Sequence, residues 1–389
     1  MEFQKTNLGE LSVNGKGSYG IAASAVQYSD ELFTYLRITD INDDGTLNKS
    51  GLMSVSDEKA EQYLLKPNDI VFARTGGSTG RSYFYDGTDG EFVYAGFLIK
   101  FSIDSTKVNP RFIKYYCLSQ EYRGWVHSFN TGSTRGNINA QTYANMPILL
   151  PSREQQDLLV DTLSVIDEKI KLNTAINENL EQQAQALFKN LIADIQERVP
   201  FTSVIQVLGG GTPKTGKQEY WNGEIPFFTP KDVGAPYVLT TEKSITPLGL
   251  DNCNSRLYPV NTVFLTARGT VGKVSLAGVP MSMNQSCYAL AGKDGLHQII
   301  VYHYVLETVK ALKHKASGAV FDAIITRDFD TESVPALSSE QIDSFIAVAE
   351  PIYSDILNRT IENQRLAALR DTLLPKLMSG EIDVSAVRI

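Results

Sequence analysis

The amino-acid sequence predicts an α+β fold in which two mixed, mostly β domains, related by an internal pseudo-two-fold repeat, are separated by two long antiparallel coiled-coil helices. Three observations carry this expectation. Landmarks of the first half return about half a chain later: Gly77-Ser78-Thr79-Gly80-Arg81 as Gly269-Thr270-Val271-Gly272-Lys273, Pro67 and Val71-Phe72 as Pro259 and Val263-Phe264, and Asp40-Ile41 as Asp232-Val233. Residues 1–150 and 199–335 hold short aromatic and β-branched runs punctuated by Gly, Asn and Asp, the pattern of strands and turns. Residues 151–198 and 336–389 carry apolar positions at alternating spacings of three and four, the pattern of a helical seam. A repeat this long exceeds any solenoid period and marks a duplicated unit of domain size.

Taken in order, the first domain (1–150) has strand-like runs at Tyr35-Leu36-Arg37-Ile38, Ile70-Val71-Phe72 and Phe92-Val93-Tyr94, and a helix is expected at 110–123 after Asn109-Pro110. The segment 151–198 opens on Pro151-Ser152, with Gln155 three residues on as a capping box. Its seam runs through Leu159, Leu163, Ile166, Ile170, Asn173, Asn177, Leu180, Ala184, Leu187 and Leu191. The second domain (199–335) repeats the strand pattern at Val263-Phe264-Leu265 and the helix at 296–314. In the last segment (336–389), Ser338 with Gln341 repeats the capping box. Its seam passes through Phe345, Ala349, Ile352, Ile356, Arg359, Asn363, Leu366, Arg370, Leu373 and Leu377. Pro351 and Pro375 predict a kink or an early end there.

Both seams are polar at their midpoint, Asn173 and Asn177 in one, Arg359 and Asn363 in the other. Antiparallel helices would bring these layers together and leave every apolar layer facing another, with the buried polar pair fixing register. The alternative is that Asn173 and Asn177 face solvent at a break in the seam.

With 389 residues, 42% hydrophobic and 21% charged, the chain has room for two domains with real cores. No apolar run approaches the ~18 residues of a membrane span, and Met1-Glu2-Phe3-Gln4-Lys5 is no signal peptide, so a cytoplasmic location is expected. Cys117, Cys253 and Cys287 form no Cys-x-x-Cys pair, and His127, His297, His303 and His314 show no ligand spacing, so neither a disulfide framework nor a metal site is indicated. Nearly all of the net charge of −8 sits on the two helical segments, which leaves the β-rich domains near neutral. Any contact with nucleic acid there must rest on locally arranged cations.

Candidate nucleic-acid contacts cluster in the repeated loops. Ser78, Thr79 and Arg81, with Arg74 before them, and Thr270 and Lys273, with Arg268 before them, place amides, hydroxyls and a cation where a phosphate could be held. The same glycines equally suit a tight hairpin with a solvated cation. A second pair of loops, Thr131-Gly132-Ser133-Thr134-Arg135-Gly136-Asn137 and Ala316-Ser317-Gly318, offers Thr134, Arg135, Asn137 and Ser317 to phosphates or base edges. Divergence between these copies fits two readers of different sites and fits unconstrained loops as well. Gly211-Thr212-Pro213-Lys214-Thr215-Gly216-Lys217 has P-loop spacing, but Gln218 stands where a magnesium-binding hydroxyl belongs, so Lys214 and Lys217 are better read as DNA-backbone contacts.

No catalytic residue is assigned. Asp57-Glu58-Lys59 and Asp167-Glu168-Lys169 are acidic-x-Lys fragments without a Pro-Asp dipeptide to complete a nuclease pattern, and Asp167 and Lys169 read as a solvated helix face. Asn109-Pro110-Arg111-Phe112 departs from the Asn-Pro-Pro-aromatic motif of adenine methylation.

Two domains, each followed by a long helix, resemble the specificity subunit of type I restriction-modification systems. The resemblance is most specific at Gly210-Gly211-Thr212-Pro213-Lys214 and Tyr220-Trp221-Asn222-Gly223-Glu224-Ile225-Pro226-Phe227-Phe228-Thr229-Pro230-Lys231-Asp232-Val233, which look like the opening of a target recognition domain. Lys231, within this stretch, is also a candidate DNA contact. The helix starts Pro151-Ser152-Arg153-Glu154-Gln155 and Pro335-Ala336-Leu337-Ser338-Ser339-Glu340-Gln341 are similar to the family's conserved regions, apart from Ala336 where Pro is common. The resemblance implies that each domain reads half of a bipartite double-stranded DNA target. It also implies that the helices dock two modification subunits, which use S-adenosylmethionine, alongside restriction subunits, which use ATP and magnesium. The seam from Leu159 to Leu191 would be ~48 Å long at ~1.5 Å per residue, or ~14 base pairs, a ruler on the scale of one helical turn of DNA. A coiled-coil scaffold whose β domains bind protein, and a cryptic P-loop NTPase, are the competing readings.

Overall fold

In the computed structural model, residues 3–129, 136–234, 236–315 and 323–382 are described, Ser50 by its backbone alone. The chain divides into two compact units, residues 1–168 with 367–389, and residues 169–366. Both long helices contribute to each unit, because the division falls within the central helix Arg153–Ile192 and the distal helix Ser339–Ser379.

The first unit holds an antiparallel sheet in the order Ser18–Tyr19, Leu98–Ser102, Asp69–Ala73, Ser82–Tyr85. Beside it lies a second sheet ordered Ala25–Val26, Met53–Val55, Phe33–Leu36, Phe92–Tyr94, whose last pair is parallel. The second unit repeats the plan: Ile205–Gly209, Cys287–Gly292, Val263–Thr266, Val274–Ala277 and Tyr237–Val238 form one sheet, and Ser244–Ile245, Trp221–Phe228 and Ser282–Met283 another, again closed by a parallel pair. Asp69–Ala73 and Val263–Thr266 are buried along their whole length, as central strands covered on both faces must be.

The repeated Asp40 and Asp232 turn out to be turn-closing carboxylates. Asp40 accepts from the Arg37 amide at 2.8 Å, and Asp232 from the Thr229 amide at 2.8 Å. Each unit is also closed by a short antiparallel ladder, Gln4–Asn7 against Pro147–Leu150 and Arg198–Pro200 against Ser333–Pro335. A tyrosine hydroxyl fastens each ladder: Tyr116 donates to the Pro147 carbonyl at 2.5 Å and Tyr304 to the Pro335 carbonyl at 2.6 Å.

Around 110–123 the chain forms two helices, Pro110–Tyr116 and Gln120–His127, because Ser119 caps the second by accepting from the Tyr122 amide. The expected 296–314 helix is Gln298–Lys315.

The long helices run antiparallel within each unit. In the first, Leu159 and Leu163 share a core with Leu374 and Leu377; in the second, Phe188 packs against Phe345 with ring centroids 5.3 Å apart. The polar midpoint is buried rather than solvated. Asn173, fully buried, donates to Glu362 at 2.7 Å and Asn363 at 2.9 Å and accepts from Arg359 at 3.3 Å. Asn177 donates to the Ile356 carbonyl and the Thr360 hydroxyl, both at 3.3 Å, while its own Oδ1 is buried without a partner.

Four expectations for the helices are corrected. The distal helix does not end early at Pro351 or Pro375 but runs from Ser339 to Ser379. The carbonyls left without a donor there belong to Ala347 and Asp371, both on exposed positions open to solvent. Late in the central seam Phe188 is buried and Leu187 is 41% exposed, since a strict heptad drifts by ~20° per repeat on a straight helix. Asp167 is not a solvated helix residue: it meets Lys114 at 2.7 Å, Arg370 at 3.1 Å and the Tyr115 hydroxyl at 2.9 Å. Lys169 keeps its solvated position, its side chain 42% exposed, with Glu362 at 3.5 Å. The Asp167–Arg370 contact is therefore a second polar layer, where apolar facing apolar was expected.

Candidate nucleic-acid interface

In the first unit, Arg74 follows the central strand Asp69–Ala73 and is held by its backbone on both sides. Its amide donates to Phe97 at 3.1 Å, and its carbonyl accepts from Ile138 at 2.9 Å. Its guanidinium lies 5.1 Å from the centroid of the Tyr19 ring, a cation–π stack, and its Nε is buried without a hydrogen-bond partner. The loop after it folds back on the 136–138 segment, where Thr75 bridges to Asn137 and the Thr79 hydroxyl donates to the carbonyls of Gly76 at 2.8 Å and Gly136 at 3.0 Å. Arg74, Ser78, Thr79 and the exposed Asn137 are thus brought to one end of the sheet. Thr134 and Arg135 lie outside the described residues.

Two of these residues have work inside the unit. The Thr79 hydroxyl is used in joining the two loops. Arg81 donates to both Asp43 oxygens, at 2.7 and 3.2 Å, and to the Ile41 carbonyl at 3.0 Å, so its charge is already answered. The loop glycines are required by backbone geometry. Gly80 has φ +89 and a Cβ there would meet Val126 at 2.4 Å; Gly272 has φ +74 and would meet Lys313 at 2.5 Å. Their carbonyls are held in parallel ways, Gly80 accepting from the Tyr122 hydroxyl at 2.7 Å and Gly272 from the Lys313 ammonium at 2.8 Å.

In the second unit, Arg268, Thr270 and Lys273 are exposed. The Thr270 hydroxyl donates to the Pro230 carbonyl at 3.0 Å, which sets Lys231 beside the glycine loop. Lys231 is mostly exposed, with Glu242 at 3.4 Å. Lys273 lies near Lys313, whose pKa is lowered by burial and by this second cation. Lys214 is exposed, and Lys217 pairs loosely with Glu219 at 3.3 Å. After Lys217 the chain enters a short 3₁₀ turn, Gln218–Tyr220, and then the strand Trp221–Phe228. A phosphate cradle needs a helix N-terminus at that point. Ser317 lies outside the described residues.

Sequence reasoning missed Tyr19, Phe97, Gln285 and Lys313. Phe97 and Tyr19 are 58% and 42% exposed, and no spacing signal marks either, because contact with Arg74 arises only when three strands are laid side by side. A cleft of about 790 Å³ at the start of strands Phe33–Leu36 and Phe92–Tyr94 is lined by five carboxylates, Asp30, Glu31, Asp57, Glu58 and Glu91, with Lys59 among them. Arg74 and Phe97 lie past the other end of those strands, joined by the hydrogen bond from the Arg74 amide to the Phe97 carbonyl.

Residues 3–182 and 197–345 match the family model of the type I restriction modification DNA specificity domain. The chain is 22% identical to the type I restriction enzyme HindI specificity subunit of Haemophilus influenzae, across 82% of this chain and 87% of that one. It is 23% identical to the EcoR124I/EcoR124II specificity subunit of Escherichia coli, across 67% and 69%. The crystal structure of the type I restriction-modification S subunit from M. genitalium shares the fold, with a TM-score of 0.53 at 14% identity over 97% of this chain and 96% of that one. Both arginine-led glycine loops fall within the matched stretches, and the chain belongs to the family of type I restriction modification DNA specificity domains.

Proposed function

We propose that the two units each read one half of a bipartite double-stranded DNA target, and that the chain serves recognition while its partners carry out catalysis. The observation that carries this reading is the pair of equivalent sheet ends, each presenting an arginine (Arg74 or Arg268) beside a glycine-built loop, with different side chains around them. Equivalent scaffolds with unlike surroundings suit two readers of unlike half-sites.

In this reading the chain works in the cytoplasm with two modification subunits docked on the helices, which would use S-adenosylmethionine, and with restriction subunits, which would use ATP and magnesium. Among the described residues no helix is long and apolar enough to cross a membrane. Phosphate contacts fall to Arg74, Arg268, Lys214, Lys217, Lys231 and Lys273, with Ser78, Thr270 and Asn137 as polar neighbours.

Selection from a randomised duplex pool by the chain in complex with its modification subunit tests the reading. Enrichment of two short conserved blocks at a constant spacing is expected. A pool that emerges without sequence preference would sink it.

A further inference from the structure

We infer that the turns 95–97 and 284–286 are the base-contacting elements of the two units, and that they read by opposite chemistry: Phe97 through apolar contact, Gln285 through its amide. This rests on the reading of the two units as half-site readers.

Three pairs of contacts align the turns. Gly20 lies so close to the first that a Cβ would fall 2.2 Å from the Tyr94 carbonyl oxygen and 2.3 Å from that of Ala95; at Gly210 the matching distances are 2.2 Å to Asn284 and 2.7 Å to Met283. The next amide along, Ile21 or Gly211, donates to Tyr94 at 3.1 Å or to Met283 at 3.2 Å. From the other side, the amide of Arg74 donates to Phe97 at 3.1 Å and that of Arg268 to Ser286 at 3.2 Å. Phe97 therefore corresponds to Ser286, and Gly96 to Gln285.

Both turns are pinned from two directions by backbone, which leaves their side chains as the variable part. Phe97 is 58% exposed on its pinned turn, flanked by an arginine stacked on Tyr19. An apolar ring held out beside a cation suits a base step or a thymine methyl next to a phosphate. In the second unit Gly209 stands where Tyr19 would be, and the exposed Gln285 is oriented by the Thr212 hydroxyl, which donates to its Oε1. An oriented glutamine amide has the donor–acceptor pair that matches adenine in the major groove.

The test compares the chain with its F97A, Q285A and Q285E variants, each in complex with the modification subunit, by selection from randomised duplexes. F97A is expected to lose about tenfold or more of the preference in one half-site, with the other half and the salt dependence of binding unchanged. Q285A is expected to do the converse, and Q285E to move the preference at one position from adenine towards cytosine. Both side chains are at the surface, so melting temperatures should match the parent. If the parent selects a bipartite site while every variant keeps both halves, or weakens on all sequences equally, the inference is overturned. If the parent itself selects nothing, the half-site reading fails first.

Discussion

Arg370 donates from Nη1 to Asp167 Oδ1 at 3.1 Å, tying the end of the distal helix to the start of the central one within the first unit. Burial alone would raise the Asp167 carboxyl, but Lys114 and Arg370 outweigh it and hold the group below the usual carboxylate range. Arg370→Ala strips a buried charge of one partner and should cost about 2–3 kcal/mol, at the low end because Lys114 and Tyr115 remain. Adding Asp167→Asn should cost less than the two single changes summed. Urea midpoints of the four proteins check this, and simple additivity would mean the pair is not coupled.

The two midpoint asparagines should respond in opposite directions. Asn177 has a buried oxygen without a donor and two long bonds, so Asn177→Leu should raise stability by about 1 kcal/mol. Asn173 joins Glu362, Asn363 and Arg359, so Asn173→Leu strands three polar groups and should lower it by about 1–3 kcal/mol. Chemical denaturation of both variants would show whether the signs differ; a shared sign would count against the layer as described.

A buried imidazole makes the second unit sensitive to mild acid. His303 stacks on Phe188 with ring centroids 4.7 Å apart and shares a 3.1 Å hydrogen bond with the Tyr353 hydroxyl; burial pushes its pKa down to about 3. Between there and its ordinary value near 6.5 the unfolded chain binds a proton that the folded chain refuses, so stability falls as pH drops, by about 1.4 kcal/mol per unit. The Asp167 pair acts elsewhere: its contribution is complete above about pH 4 and fades only as pH falls through the lowered carboxyl value. Stability measured from pH 7 to 5 should therefore slope less steeply for His303→Gln than for the parent, whatever its absolute value.

Glycine replacements separate geometry from recognition in the loops. Gly80→Ala and Gly272→Ala force a side chain into a left-handed backbone and onto Val126 or Lys313, so each should cost about 1–3 kcal/mol. A Cβ at Gly77 has open space around it, and Gly77→Ala should leave melting unchanged. Equal losses at all three positions would contradict this account.

Much of this architecture is legible in the chain because the repeat and the heptads are local patterns. Gly80 and Gly272 stand out in the sequence since only glycine tolerates their backbone, and Asn173 and Asn177 stand out as polar members of an apolar seam. Distant pairings leave no such trace. Nothing near Arg81 shows that Asp43 will neutralise it, nothing near Thr79 shows that Gly136 will take its hydroxyl, and Arg370 looks like a seam outlier until Asp167 lies opposite. Phe97 is silent for the same reason: its exposure is a property of three strands and a glycine at position 20.

The tyrosine-fastened ladders have an evolutionary consequence. Because residues 4–7 and 147–150 meet at one clasp, and residues 198–200 and 333–335 at another, everything between the ends of each clasp is a closed cassette whose outlet lies beside its inlet. A foreign stretch of different length and sequence that preserves the clasp, Tyr116 or Tyr304 included, meets the helices in the same geometry. Recombination at the clasps thus changes what is read without rebuilding the frame that holds it.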